Sequence, residues 1–296
     1  MNRRYIQCVV GAALAGLVTG GCGAPGEDRP NAVPSRIVSM APSLTETLLA
    51  LRLGDRVIGV TRYCPPVPGA VSVGGHLDPS VEGIVALDPD LVLLMQSHDE
   101  LRVRLDGLGL TTFQVDQHDI VAILDSVTAI AERCGVGDRG RRLTARLRSE
   151  LDAVAVSVAG RPRPRVLAVV GREAGTGRIT SVWAAGPDTF FDDVLMIAGG
   201  VNAVGNSSIR YPELSREGLL AVDPDVILDI VADGGDRGLD AATIAADWRG
   251  LEDLRAVRDG RVQVITDSRV VIPGPSIVDT VRIVAGLLHP GEAGHP

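Results

Sequence analysis

Two glutamates stand in the same sequence context, 135 residues apart, and could act as a matched pair. Glu82 lies in Ser80–Leu93 and Glu217 in Ser215–Leu228; these segments align without gaps and share eight of fourteen residues. The serine that opens each segment is predicted to cap a helix. A carboxylate in a helix's first turn is stabilised by the helix dipole, so one interpretation is structural. The other is recognition, because paired carboxylates suit the arginine or lysine side chains of a two-fold symmetric partner.

Aromatic side chains form the second candidate group, because they make up only 3% of the chain. Tyr63, Trp183 and Tyr211 fall where loops are predicted, and Trp183 is placed in the loop that leads to a helix at Thr189. Aromatic faces suit a large, flat and partly apolar ligand. The alternative is that each ring anchors its own loop.

Cations and one histidine complete the candidate ligand site. Arg62, Arg172 and Arg210 could meet carboxylates or phosphates, with an ordinary surface position as the alternative. His76 could stack on a ligand, donate a hydrogen bond or ligate a metal centre, with an ordinary loop histidine as the alternative. The five histidines form no His-x-x-x-His pair, so no metal site of the protein's own is predicted.

The chain lacks the local motifs of common enzyme classes. It contains no Gly-x-Ser-x-Gly, no phosphate-binding loop and no Cys–His pair at local spacing, so no catalytic residues are predicted. Its net charge of −8 argues against a nucleic-acid partner, which requires a basic face. The residues favour ligand binding over catalysis.

The N-terminal segment predicts export. A basic start precedes the apolar run Val9–Val18, which is too short to span a bilayer and is typical of a signal peptide. The small residues before Cys22 resemble a lipobox, which predicts lipidation of Cys22; ordinary signal cleavage nearby is the alternative. We expect a signal peptide over 1–22 and a flexible tether over 23–34.

Two cysteines, Cys64 and Cys134, follow the predicted leader. Disulfides persist in the compartments that exported proteins reach. A bridge between these two residues and a pair of buried thiols both remain open, because sequence alone does not give the geometry.

Alternating strands and helices are predicted to position these residues. The alternation covers 35–137 and again 161–290, which predicts two similar α/β lobes with largely parallel sheets. One long rigid helix over 138–160 is predicted to join them, and 291–296 is a polar tail. Ligands of such sheets bind beyond the carboxyl ends of the strands, so we expect the ligand between the lobes.

Two weaker patterns add local predictions. Ser43 is predicted to cap the first helix, with Glu46 three residues on as in a capping box. Arg36–Ser39 echoes Arg178–Ser181, which extends the internal duplication beyond its strongest segment.

The order of these motifs resembles the periplasmic binding proteins whose lobes are joined by a rigid helix and which serve ABC importers of cobalamin, haem and ferric siderophores. The vitamin B12-binding branch looks most similar. The resemblance covers nearly all of residues 35–288 and rests on the following segments: Arg36–Ser39, Ser43–Glu46, Gly59–Cys64, Gly74-Gly75, Glu82–Asp90 and Ser215–Glu217.

This resemblance implies a function and a set of partners. Glu82 and Glu217 would dock into arginine pockets of a dimeric permease that works with its ATPase. A cobalt- or iron-containing chelate, above all a corrinoid, would bind between lobes that close little. The resemblance leads us to expect an aromatic residue such as tryptophan where His76 stands.

The resemblance also implies a setting for the protein. It would be a monomer on the outer face of the cytoplasmic membrane or in the periplasm, held by a lipid anchor, without a cofactor and without enzymatic activity. Two alternatives stay open: a ferric-siderophore or haem-binding protein of the same type, and a hydrolase or sensor module on the same scaffold.

Overall fold

A computed structural model describes residues 33–75, 78–235 and 237–290 of the chain. Cys22, His76, the predicted signal peptide and the predicted tail lie outside these residues, as does nearly all of the predicted tether. Within the described residues, no helix has both the length and the apolar character that a bilayer crossing requires.

The first lobe is built on a fully parallel sheet. Its strands are β1 (Ile37–Ser39), β2 (Val57–Val60), β3 (Val71–Ser72), β4 (Leu91–Met95) and β5 (Thr112–Val115), in the spatial order β3-β2-β1-β4-β5. Its helices are α1 (Pro42–Ala50), α2 (Val81–Ala86), α3 (Asp99–Gly107) and α4 (Ile120–Arg133), with short 3₁₀ turns at Gly54–Arg56 and Gln96–His98.

The second lobe is built on a mixed sheet. Its strands are β6 (Arg165–Gly171), β7 (Ser181–Ala184), β8 (Val201–Asn202), β9 (Glu213–Ser215), β10 (Val226–Ile230) and β11 (Val262–Ile265). The order is β11-β10-β6-β7-β9, with β8 beside β6 and β7 antiparallel to both of its neighbours. Its helices are α6 (Phe190–Ile197), α7 (Arg216–Val222), α8 (Ala241–Ala246), α9 (Arg255–Arg258) and α10 (Ile277–Leu288), with a 3₁₀ turn at Ser268–Val271.

One long helix, α5 (Gly137–Ser157), lies between the two sheets in the chain. Its 21 residues span about 32 Å at 1.5 Å per residue. Leu143, Leu147, Leu151 and Val154 recur every three or four residues and are buried, which gives the helix one apolar face. That face packs against α4 of the first lobe and against α6 and α10 of the second.

A single hydrophobic cluster runs through both lobes. It contains Ile37 and Leu44 from the first lobe, Leu147 from α5, and Val166 and Val194 from the second lobe. Separating the lobes would expose apolar surface on both sides of this cluster, at about 25 cal/mol per Å². The lobes are therefore held by a shared core, which favours a small amplitude of closure.

The duplicated segments have the same capping in both lobes. The Ser80 hydroxyl accepts the Gly83 N–H at 3.0 Å, and the Ser215 hydroxyl accepts the Gly218 N–H at 3.3 Å. These bonds confirm the predicted helix caps.

The Asp-Pro-Asp turn of each segment also repeats, and it corrects the weaker echo. Asp88 and Asp223 both adopt a left-handed conformation, with φ of 45° and 37°. The Arg36 Nε donates to the Asp88 carbonyl at 2.9 Å, and the Arg165 Nη1 donates to the Asp223 carbonyl at 3.1 Å. The counterpart of Arg36 is therefore Arg165 at the start of β6. The predicted alignment with Arg178 is wrong, because that residue precedes the antiparallel strand β7.

The predicted capping box at the first helix is also wrong. The N-cap of α1 is Ala41, with Pro42 as the first helical residue. Proline is favoured there because the helix does not need its missing N–H. Ser43 instead donates its hydroxyl hydrogen to the Gln117 side chain at 2.6 Å, and Glu46 is free to face the second lobe.

Candidate ligand cleft and docking carboxylates

The two lobes meet at the carboxyl edges of their sheets. Helices α1 and α4 begin just after β1 and β5 end, and each contacts the second lobe in its first turns. The Ser276 hydroxyl donates to Glu46 at 3.1 Å, and the Ile120 N–H donates to Asp193 at 2.9 Å. Because these bonds cross between the lobes, the two carboxyl edges lie side by side, where the cleft is predicted.

Three aromatic side chains remain largely exposed on the described protein. They are Tyr63, Trp183 and Tyr211, which are 68%, 48% and 42% exposed. The other described aromatics are buried or half-buried. These three are the aromatic residues that the sequence predicts as ligand contacts, and their exposure leaves the rings accessible to a ligand.

Tyr63 belongs to a turn that follows β2 in the first lobe. The Cys64 N–H donates to the Thr61 carbonyl at 3.1 Å and closes the turn. The neighbouring Arg62 forms an exposed ion pair with Asp78 at 3.2 Å. The Arg62 charge is thus partly satisfied within the protein, whereas the Tyr63 ring projects into solvent.

Trp183 lies on a strand, not in the predicted loop. It belongs to β7 and stands opposite Gly171, the last residue of β6. A Cβ on Gly171 would lie 3.4 Å from the Trp183 Cβ. The missing side chain at Gly171 leaves room beside the indole at the carboxyl end of β6, where the cleft is predicted.

Tyr211 and Arg210 form the edge of the segment that leads into β9. The Arg210 carbonyl accepts the Gly186 N–H at 2.7 Å, and the Pro212 carbonyl accepts the Ala184 N–H at 3.0 Å. Partial burial raises the pKa of the Tyr211 hydroxyl, so it stays protonated at neutral pH. Within the described chain, no carboxylate pairs with the Arg210 guanidinium, which is left available for an anionic group.

Arg172 is not a cleft residue; it lies in a buried ion cluster. Its side chain is 1% exposed and forms ion pairs of 2.6 Å with both Asp229 and Asp247. The Trp248 indole N–H also donates to Asp229 at 2.7 Å. The Arg172 charge is fully used within the second lobe, so the sequence-based expectation that it could meet a ligand is wrong.

The same cluster shapes the glycine-rich loop beside β7. Asp247 accepts the N–H groups of Gly175 and Gly177 at 2.7 and 2.5 Å. Burial alone would raise the pKa of Asp247, but the bonds from Arg172 and these two amides outweigh it and lower the pKa. Asp247 therefore fixes the loop that precedes the strand carrying Trp183.

The two cysteines are free thiols. Cys64 is half-buried with its Sγ 3.1 Å from the Thr61 hydroxyl, and Cys134 is buried in the hydrophobic cluster. Burial raises the pKa of the Cys134 thiol to about 11, which keeps it protonated and unreactive at neutral pH. The sequence leaves open a disulfide or two free thiols, and the structure has two free thiols.

Glu82 and Glu217 are both exposed in the first turn of their helices. Hydrogen bonds from its own backbone N–H and from the Ser215 hydroxyl lower the pKa of Glu217, and the hydroxyl lies 2.9 Å away. Among the described residues, neither glutamate has a cationic partner. Each lobe thus presents one exposed carboxylate at equivalent positions, as a docking role requires.

Glu46 is a site residue whose role the sequence did not indicate. It is half-buried between the lobes, and burial is the main reason that its pKa is raised. Hydrogen bonds from the Ser276 hydroxyl and N–H lower it in part; among the charges, Asp279 raises it and Arg269 lowers it. The absence of a side chain at Gly274 leaves room for this contact, since a Cβ there would collide with the Glu46 carboxylate.

We expect Glu46→Gln to stabilise the protein at neutral pH. The folded state holds this proton more tightly than the unfolded state, so stability falls as pH rises from the ordinary value of 4.5 through the raised folded pKa. Glutamine keeps an acceptor for Ser276 without the charge. Thermal unfolding followed across this range should show a higher melting temperature for Glu46→Gln than for the unsubstituted protein at neutral pH, and no difference below pH 4.5. A difference of the same size at every pH would contradict the raised pKa of Glu46. Glu132→Gln, at an exposed position of α4, is the control.

Two α/β lobes, a core that they share and a pair of exposed glutamates at equivalent helix starts are the features of a two-lobed ligand-binding protein. Comparison with known families agrees: the periplasmic binding protein family matches residues 37–268. The chain belongs to this family, which confirms the resemblance inferred from the sequence.

Individual relatives carry related names. The chain is 30% identical over 269 residues to a cobalamin-binding protein of Halobacterium salinarum, covering 86% of this chain and 70% of that one. It is 25% identical over 262 residues to a vitamin B12-binding protein of Vibrio cholerae, covering 86% and 88%. Among solved structures, the periplasmic heme-binding protein RhuT from Roseiflexus sp. RS-1 in apo form aligns with a TM-score of 0.73, 25% identity, and coverage of 86% and 97%.

Proposed function

We propose that this chain is the extracytoplasmic substrate-binding subunit of an ABC importer, and that it captures a corrinoid between its lobes. The observation that carries the proposal is the exposure of Tyr63, Trp183 and Tyr211 while the other described aromatics are more buried. A corrin is a large disc with apolar faces, and aromatic rings suit such faces. The names of the two curated relatives support a corrinoid over other chelates.

Delivery completes the proposed function. Glu82 and Glu217 would dock on a dimeric permease, one carboxylate to each half, and a lipid on Cys22 would keep the protein at the outer face of the membrane. The shared core between the lobes supports this arrangement, because it holds the two carboxylates at a nearly fixed separation. A rigid pair of charges pays little entropy when it meets two fixed cationic sockets.

A haem is the second candidate ligand of the same site. It is favoured by the likeness to a haem-binding protein at 25% identity and by Arg210, because its guanidinium, which has no carboxylate partner among the described residues, suits a propionate. His76 is compatible with either ligand, because an imidazole can ligate iron or cobalt.

A ligand screen by thermal shift distinguishes these candidates. Bound ligand stabilises only the folded form, by about 2.7 kcal/mol at a concentration 100 times the Kd. We expect cobalamin or cobinamide to raise the melting temperature more than haem or a ferric siderophore does. A larger shift with haem would transfer the proposal to that ligand, and no shift with any of them would reject binding of a metal chelate. A hydrolase or sensor that acts on an unrelated small molecule predicts no such shift.

We expect Trp183→Ala to weaken binding of the corrinoid by about 10- to 100-fold, because a half-exposed indole would lose roughly 100 Å² of buried contact. Tyr63→Ala and Tyr211→Ala should each have smaller effects in the same direction. Trp183→Phe keeps an aromatic face and should therefore lose less affinity for the corrinoid than Trp183→Ala.

Calorimetric titration measures these affinities. Val156→Ala is the matched control, because Val156 is 75% exposed on α5, away from the cleft edge. Unchanged affinity in Trp183→Ala would exclude the indole from the ligand site.

A further inference from the structure

Four arginines converge on one face of this acidic protein. Arg52, Arg139, Arg142 and Arg146 line a cavity of about 400 Å³ together with Ala50 and Leu143. All four are exposed, although the chain has a net charge of −8. We call these four residues the arginine patch.

The charges of the patch are only weakly neutralised. Arg146 lies 3.6 Å from Glu150, and Arg139 donates to the Leu51 carbonyl at 3.2 Å, which leaves its charge in place. For Arg52 and Arg142, the described chain provides no carboxylate partner. Four clustered cations in this state have an unfavourable mutual repulsion that an anionic partner would relieve.

Arg52 occupies a position that normally favours glycine. It follows Leu51, the C-cap residue of α1, and has φ of 58°, in the left-handed region. Helices commonly end on glycine or asparagine at this point, because other side chains are strained there. The arginine at this place adds charge to the patch at the expense of backbone strain, which glycine would avoid.

The described chain begins beside the patch. A Cβ on Gly135 would lie 2.8 Å from the Val33 Cγ2, so Val33 packs on the turn that leads into α5. The Arg56 guanidinium donates to the carbonyls of Pro34 and Cys134, at 3.2 and 3.0 Å. Arg139 is four residues past Gly135 in the chain. The first described residue, Val33, therefore lies on the same turn that leads to the patch.

The patch and the proposed docking surface lie on opposite edges of the first sheet. Helix α1 starts at the carboxyl edge, after β1, and returns to the amino edge before β2, so its end at Arg52 marks the amino edge. Glu82 lies at the carboxyl edge, because the N–H of its neighbour Ser80 donates to the carbonyl of Val73, just after β3. A partner that binds the patch would leave the cleft pointing away from it.

We propose that the arginine patch binds the anionic phospholipid surface of the membrane to which the tether leads. A lipid anchor and a basic patch are two signals that together hold a protein firmly at a bilayer. Bound in this way, the protein presents its cleft outward for ligand capture and releases the patch when it turns to dock. That the protein sits at the membrane in this orientation rests on the proposed lipid anchor at Cys22. Binding of the patch to anionic lipid does not rest on that anchor.

Vesicle co-sedimentation tests this proposal without the lipid anchor. The test uses residues 23–296, which retain every hydrophobic cluster of the described chain, since these lie between Ile37 and Leu288. The vesicles contain phosphatidylcholine either alone or mixed with phosphatidylglycerol. We expect binding to the mixed vesicles only, with a strong decrease as salt is raised.

Charge removal gives the size of the effect. Each arginine near an anionic surface contributes about fivefold, so Arg52→Gln, Arg142→Gln and Arg146→Gln together should reduce partitioning by roughly 100-fold. The matched control makes the same charge change elsewhere, at Arg104, Arg249 and Arg258. Arg52→Gly should raise the melting temperature, because it relieves the strain, and still weaken vesicle binding.

Three outcomes would overturn the proposal. The first is equal binding to neutral and mixed vesicles. The second is vesicle binding by the triple variant as strong as that of the unsubstituted protein. The third is tight binding of inorganic phosphate, measured by calorimetry, without any binding to vesicles. Calorimetry with cobalamin on the same variants separates this test from that of the proposed function, because the patch lies outside the cleft and its loss should leave ligand affinity unchanged.

Discussion

Replacing Glu82 and Glu217 together with alanine is expected to abolish ligand uptake and to leave ligand affinity unchanged. Both carboxylates are exposed, and neither has a cationic partner within the described residues. Losing two charge pairs at an interface should weaken docking by roughly 1000-fold or more. Ligand contacts should not change, because the three exposed aromatics belong to other segments of the chain.

Uptake of labelled ligand by cells that carry the variant as their only copy measures this effect. Calorimetry on the purified variant supplies the affinity. Glu100→Ala with Glu132→Ala is the matched control, because Glu100 is another exposed glutamate in the first turn of a helix, α3. Normal uptake by the double variant would leave the two glutamates with helix stabilisation as their only role.

The second large effect is expected from Arg172→Met. This change leaves Asp229 and Asp247 as buried carboxylates without their cation, which typically costs about 3–5 kcal/mol of folding stability. Domains of this kind are stable by about 5–15 kcal/mol in total, so the variant should unfold at a much lower denaturant concentration. Because Asp247 also holds the amides of Gly175 and Gly177, ligand affinity should fall as well.

Chemical denaturation monitored by circular dichroism measures the loss in Arg172→Met. Arg62→Met is the matched control, because its ion pair with Asp78 is exposed and should be worth less than about 1 kcal/mol. The pKa of Asp247 is lowered in the folded state. Its stabilising contribution is therefore present above the ordinary aspartate pKa and is lost as pH falls through the lowered value. A loss below 1 kcal/mol would show that the cluster is not a stabilising unit.

The periodicity of the sequence predicted most of the elements that position the site. Strands β1 to β5 lie within 35–137 and strands β6 to β11 within 161–290, the two segments where the sequence predicts alternating strands and helices. The duplication placed Glu82 and Glu217 at equivalent helix starts, because capping serines and Asp-Pro-Asp turns are local signals that do not depend on distant contacts.

Side chains whose partners come from distant segments could not be predicted in this way. The sequence alone predicts a loop cation at Arg172. Its partners Asp229 and Asp247 come from β10 and from the end of α8, which only the fold brings next to it. Glu46 matches a capping box by spacing, yet its partner Ser276 is 230 residues away. The sequence predicts a loop at Trp183, because glycine-rich segments surround the short strand β7. The pairing of Trp183 with Gly171 and Glu213 makes it a strand residue.

The arginine patch shows the same limit of sequence reasoning. Arg139, Arg142 and Arg146 follow a helical spacing that indicates one face of α5, but the sequence gives no reason to add Arg52. The end of α1 brings that residue to the same cavity. Charge clusters of this kind become visible only when two elements are packed together.

The central claim is that the cleft between the lobes binds a corrinoid, and a calorimetric titration of the purified protein with cobalamin tests it most directly. We predict saturable binding of one cobalamin per chain, weakened by Trp183→Ala and unaffected by Val156→Ala. Absence of heat and of saturation with cobalamin and with cobinamide, on protein that unfolds cooperatively, would contradict the claim.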